Sequence, residues 1–81
     1  MTVEAFVLLN IKTGSIKEVI KSLKEFKELS VVASTAGSYD LVVNVKVEDL
    51  AKLHDFVTTT LQRIEGIVQT ESLIVAKKIE R

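Results

Sequence analysis

Gly37-Ser38-Tyr39-Asp40-Leu41-Val42-Val43-Asn44-Val45-Lys46-Val47 reads as a tight glycine turn that runs straight into a strand. Leu41, Val43, Val45 and Val47 alternate with Val42, Asn44 and Lys46, so the first set is expected to face a core. The preceding run, Leu29 to Ala36, is also strand-forming. Two such runs joined by Gly37-Ser38 form an antiparallel hairpin. The turn sets an aromatic ring, Tyr39, and a carboxylate, Asp40, at the mouth of the second strand of that pair.

Working outward, Val3 to Ile11 is a strand closed by the turn Lys12-Thr13-Gly14. Ser15-Ile16-Lys17-Glu18 has the form of a capping box, and Ile16, Val19, Ile20, Leu23 and Phe26 make one apolar helical stripe. Beyond the hairpin, Glu48-Asp49 opens a second helix with the stripe Leu50, Leu53, Val57, Leu61 and Ile64, and Gly66 is its stop. The run Thr58-Thr59-Thr60 is poor helix material, but its hydroxyls can satisfy carbonyls one turn earlier. Ile67 to Lys78 is a fourth strand.

The order βαββαβ places residues 1–81 in a single domain of the α+β class. It predicts a ferredoxin-like sandwich, a four-stranded antiparallel sheet with two helices on one face and the first and third strands in the middle. In that register Phe6, Leu8, Val42, Leu73 and Val75 point away from the helices, and a one-residue slip of the outer strands would reverse this. An apolar open face predicts a homodimer through the sheet. Size points the same way: 81 residues, 47% of them hydrophobic, with no cysteine, is a small core without a covalent staple.

Eleven basic and eleven acidic side chains cancel, so direct nucleic-acid binding is not expected. With no basic n-region and no run of about 18 apolar residues, neither a signal peptide nor a membrane span is expected, which predicts a cytoplasmic protein. One histidine, His54, and no cysteine leave no zinc site within a chain. The serines, threonines and His54 show no spacing of a nucleophile with its base, and neither catalytic residues, a metal nor a cofactor is expected.

On residue chemistry alone the Gly37 to Asp40 segment is equally a plain hairpin turn, glycine supplying positive φ and aspartate capping backbone groups. Order along the chain adds to this. Strand-helix-strand, the glycine turn with Tyr39 and Asp40, strand-helix-strand again, and Gln69-Thr70-Glu71-Ser72 with hydroxyls at alternate positions resemble the small-molecule-sensing (RAM) domain of the Lrp/AsnC, or feast/famine, transcription regulators. The resemblance covers nearly the whole chain and lacks the helix-turn-helix domain. It implies a stand-alone, non-enzymatic sensor that binds an amino acid or related metabolite at Gly37, Ser38, Tyr39, Asp40, Thr70 and Ser72. Where that family carries Thr-x-Thr, Ser72 keeps the hydroxyl and loses the methyl. Backbone amides of the turn can receive a carboxylate, Asp40 or a strand hydroxyl can answer an ammonium group, and Tyr39 can wall the pocket. The resemblance also implies sites where dimers abut, a ring of four or five dimers, and co-assembly with a full-length Lrp/AsnC relative. Two other readings share the element order: a small dimeric α+β-barrel oxygenase or isomerase with His54 in a closed cavity, and an ACT-like regulatory module.

Overall fold

A computed structural model describes residues 2–81. Its elements are β1 (Val3–Ile11), α1 (Ile16–Leu23), β2 (Leu29–Ser34), β3 (Leu41–Val47), α2 (Leu50–Asp55) and β4 (Ile67–Ile74). A π-helical turn, Phe56–Thr60, and a 3-10 turn, Leu61–Arg63, prolong α2. The sheet is antiparallel throughout, in the order β2-β3-β1-β4. This is the ferredoxin-like fold expected from the element order.

Period-two alternation in the two central strands places the core. Ala5, Val7 and Leu9 of β1 and Leu41, Val43 and Val45 of β3 have no solvent exposure, and they lie in register with one another. Val19, Leu23 and Leu61 from the helical layer are equally covered. Each such aliphatic side chain removed from water contributes about 1.5–3 kcal/mol. Phe26 and Phe56 meet edge to face, centroids 5.7 Å apart and planes at 84°, and so join the exit of α1 to α2.

Several local expectations are corrected. The Ser15 hydroxyl makes no capping hydrogen bond, because its backbone (φ −103°, ψ 1°) lacks the extended geometry a side-chain cap needs. Asp49, extended at φ −156°, does cap its helix: its Oδ1 accepts from the Lys52 amide at 2.8 Å. Helix α1 stops at Leu23, so Phe26 packs from the following turn. Strand β4 ends at Ile74 rather than Lys78, since its partner β1 begins at Val3 and the last rung is the Val75 amide on the Glu4 carbonyl. Strand β2 ends at Ser34, not Ala36. The turn is therefore wider than a two-residue hairpin and is closed by the Thr35 amide on the Asp40 carbonyl at 3.0 Å.

Phe6 and Leu8, paired with Asn44 and Val42 of β3, lie on the face away from the helices, as does Leu73 of β4 opposite Phe6. Phe6 is 41% exposed, Val31 52% and Leu73 48%. Within this open face Asn44 is buried, its Nδ2 donating to Glu4 Oε2 at 2.7 Å and its Oδ1 accepting from Ser30 Oγ at 2.6 Å. That bond from Asn44 is the main reason the Glu4 carboxyl titrates below its ordinary 4.5.

Gly66 is where α1 and the entry to β4 touch. Its φ is +102°, and a Cβ there would lie 2.9 Å from both Ser15 Cβ and Val19 Cγ2. Gly66→Ala should therefore cost about 2–4 kcal/mol from backbone strain plus overpacking, measured by urea unfolding. Gly14→Ala, with open space around the added methyl, should cost about half that.

Candidate functional site

The glycine turn is bound tightly to β1. The Asp40 amide donates to the Leu9 carbonyl at 2.9 Å, and Asp40 Oδ2 accepts from the Ile11 amide at 2.7 Å. This carboxylate takes the Ile11 amide just beyond the last β1–β3 pair, Leu9 with Leu41. The capping role expected of Asp40 is thus taken by Oδ2, and Oδ1 has no hydrogen-bond partner among the described residues. Thr35 Oγ1 donates to the Tyr39 carbonyl at 2.7 Å, which braces the turn from inside. Gly37, at φ +141°, and Ser38 are exposed at its tip.

Tyr39 reaches across β1 on the open face, where its hydroxyl donates to the Glu71 carboxylate. Glu71 pairs with Leu8 and so shares that face. The bond to Glu71 raises the phenol above its ordinary 10.0. Beside it, Asn10 Nδ2 donates to Gln69 Oε1 at 3.3 Å.

Thr70 and Ser72 lie on the other face. They pair with Leu9 and Val7, both covered by the helical layer, so they point toward α2 and its continuation. Thr70 Oγ1 accepts from Gln62 Nε2 at 3.1 Å. Ser72 opens into a recess of about 300 Å³ between β4 and the helical segment, with Leu50, His54, Val57 and Ile74 around it. A second recess, of about 310 Å³, lies on the other side of the Gln62 contact, beside Val68 and Gln69. The six residues expected to form the site do not converge on one cavity within a chain. Thr70 and Ser72 share a strand face, Tyr39 lies over the opposite face, and Asp40 sits between at the same end of the sheet.

Gln62, His54 and Glu71 were not expected beside these positions. Leu50, His54 and Thr58 follow the i, i+4 row of a helix, and Gln62 continues that spacing. This row faces the alternate residues 74, 72 and 70, a match that only the strand-helix crossover reveals. The threonine run behaves as expected: Thr58 Oγ1 donates to the His54 carbonyl at 2.8 Å and Thr59 Oγ1 to that of Asp55. His54 is exposed and lines an open recess, and no hydrogen bond joins its ring to Ser72 or Thr58. Among the described residues no cluster could hold a metal ion, and no helix is long and apolar enough to cross a membrane.

The family model of the Lrp/AsnC ligand binding domain matches residues 4–81. The chain belongs to that family. It is 34% identical over 73 residues to the HTH-type transcriptional regulator FL11 of Pyrococcus furiosus, a match covering 90% of this chain and 48% of that one. The Lrp/AsnC ligand-binding domain described here thus spans about half the length of the curated relatives it matches. Among solved structures, TTHA0845 from Thermus thermophilus superposes with a TM-score of 0.89 at 30% identity, covering 98% of this chain and 99% of that one. The transcriptional regulator NMB0573 of Neisseria meningitidis, solved as an L-Met complex, shares the fold with a TM-score of 0.92 at 21% identity, over 98% of this chain and 53% of that one.

Two tests follow from the turn. Asp40→Ala leaves the Ile11 amide unpartnered and should cost about 1–3 kcal/mol in denaturant unfolding, while Asp40→Asn, which keeps an acceptor oxygen, should cost less than about 1 kcal/mol. The phenol of Tyr39 titrates higher folded than unfolded, so its contribution is complete below pH 10.0 and is lost as the pH rises through the raised value. Tyr39→Phe should flatten that alkaline loss and leave the acid side of a pH–stability curve unchanged.

Proposed function

We propose that this Lrp/AsnC ligand-binding domain binds a free amino acid or a close relative of one, at a site completed between copies of the chain. Gly37, Ser38, Tyr39 and Asp40 would come from one copy, and Thr70 and Ser72 from another. The observation that carries this reading is the division of those residues over two faces of one sheet. Each half has free groups suited to an amino acid: turn amides and Asp40 Oδ1 on one side, the Ser72 hydroxyl on the other. A Neisseria regulator that shares this fold over 53% of its own chain was solved as an L-Met complex. A ligand bridging two copies would alter assembly by favouring one packing over another. The chain would then modulate transcription by co-assembling with a full-length relative. The closed His54 cavity of the enzyme reading has no counterpart in the open recess beside α2.

Assembly through the open face is part of the proposal. Phe6, Leu8, Val42 and Leu73 form a row that a second sheet can cover, and the buried amide of Asn44 already has its partners within the chain. Leu73→Lys, at a half-exposed position, would fold as a monomer but bury an unpaired ammonium in the dimer, at a cost of several kcal/mol. Light scattering at micromolar concentration should show a dimer or larger assembly for the wild type and a smaller species for Leu73→Lys; a monodisperse wild-type monomer refutes the sheet interface. Calorimetric titration of the twenty amino acids should give a ligand whose affinity falls ten- to a hundredfold in Asp40→Asn, roughly 1.5–3 kcal/mol.

A further inference from the structure

We propose that the recess between β4 and the α2 segment is the specificity pocket of this site, and that it admits an uncharged, predominantly aliphatic side chain. This inference rests on the amino-acid reading above. The pocket begins at Ser72, whose hydroxyl has no hydrogen-bond partner among the described residues; that of Thr70 is engaged by Gln62. From Ser72 the walls are Leu50, Leu53, Val57 and Ile74. Thr58 also borders the pocket, but its hydroxyl is held by the His54 carbonyl. What remains for a ligand is apolar surface, the Ser72 hydroxyl and the His54 ring. No carboxylate, lysine or arginine among the described residues lines the recess, so a charged side chain placed there would lose water without gaining a counter-charge from those groups.

Two further observations bear on the same place. Leu50 and Ile74, which flank this cavity, are 57% and 53% exposed, and a ligand side chain seated between them would remove that surface from water. The far wall is a π-helical turn, in which the Leu61 amide is shared by the carbonyls of Phe56 and Val57. Leu53, Phe56 and Val57 share one helical face at i, i+3 and i+4, with Phe56 against Phe26 and Leu53 and Val57 lining the recess. Such π-helical turns are rare and recur at functional sites. A volume of about 300 Å³ lies at the lower end of the usual range for ligand pockets, the size of a small metabolite. The larger recess on the other side of α2 is lined by charges of both signs, Lys27, Lys46 and Asp55 among them, and touches none of the candidate residues.

The test titrates the full chain with leucine, isoleucine, valine and methionine, and separately with aspartate, glutamate, lysine and arginine, by calorimetry. The methyl resonances of Leu50 and Ile74 are followed in parallel. Leu50→Asp and Ile74→Ser, both at half-exposed positions, are compared with the wild type and with Ile79→Ser, a 73% exposed position outside the recess. Expected are binding of at least one aliphatic amino acid with shifts at both methyl groups, at least a tenfold loss in either recess variant, and none in Ile79→Ser. A charged amino acid binding best, or aliphatic binding indifferent to both recess variants, overturns the pocket while leaving the amino-acid reading in place. No binding by any of the eight overturns the pocket; binding of one of the other twelve that weakens in Asp40→Asn would show that the amino-acid reading survives it.

Discussion

Burial of alternate residues in the central pair β1–β3 is the constraint on which the rest of the structure depends. Ala5, Val7, Leu9, Leu41, Val43 and Val45 must face the helical layer, so Phe6, Leu8 and Val42 must face the other way. A chain of this length builds only one layer of helices, and it covers one side. The remaining side carries Phe6, Leu8, Val42 and Leu73, and among them, opposite Phe6 on the central strands, Asn44 is bonded to Glu4 and Ser30. A face whose buried amide is already satisfied can be covered without creating an unpartnered polar group. The open sheet is thus prepared for contact in its polar as well as its apolar residues.

Two contacts keep this sheet in position relative to its surroundings. At one end Asp40 ties the glycine turn to β1 through both its amide and its carboxylate. The Lys12 amide, next along the chain from the Ile11 amide held by Asp40, donates to the Gly66 carbonyl at 2.7 Å, and Gly66 in turn lies against Ser15 and Val19. Turn, central strand, first helix and entry to the last strand therefore form one connected set. Thr70 lies a few residues along β4 from Gly66, so the positions of the turn and of the strand hydroxyls are set by the same contacts.

The architecture was legible in the sequence because it rests on long periodic segments: the alternation over Leu41 to Val47, and the stripe Val19, Leu23. What escaped the sequence was local backbone geometry. Ser15 and Glu18 have the identities of a capping box, but Ser15 sits outside the extended conformation that would aim its hydroxyl, whereas Asp49 has it. The expected α2 stripe took in Leu50 and passed over Phe56, although Phe56 also fits the helical period at i+3 from Leu53. Phe56, three residues after Leu53, is buried with Leu53 and Val57, and Leu50 ends at the surface. For the candidate site, residue types and order were readable while faces were not combined: strand alternation puts Thr70 and Ser72 opposite Tyr39, and that is evident only once β4 is set beside β1.

This separation has a thermodynamic consequence for the proposed sensor. If one ligand had all its contacts within a chain, its binding energy would be indifferent to assembly. With the turn on one copy and the strand hydroxyls with their apolar recess on another, part of that energy is available only in the packing that joins them, and ligand and assembly become coupled by necessity. Couplings of this kind amount to about 1–3 kcal/mol, enough to shift an association equilibrium by one or two orders of magnitude. The Tyr39–Glu71 hydrogen bond lies on the open face, at the margin of the proposed sheet interface. On the proposed reading, a ligand drawn to the turn would then act beside the proposed dimer surface, which would give the domain a means to report what it has bound.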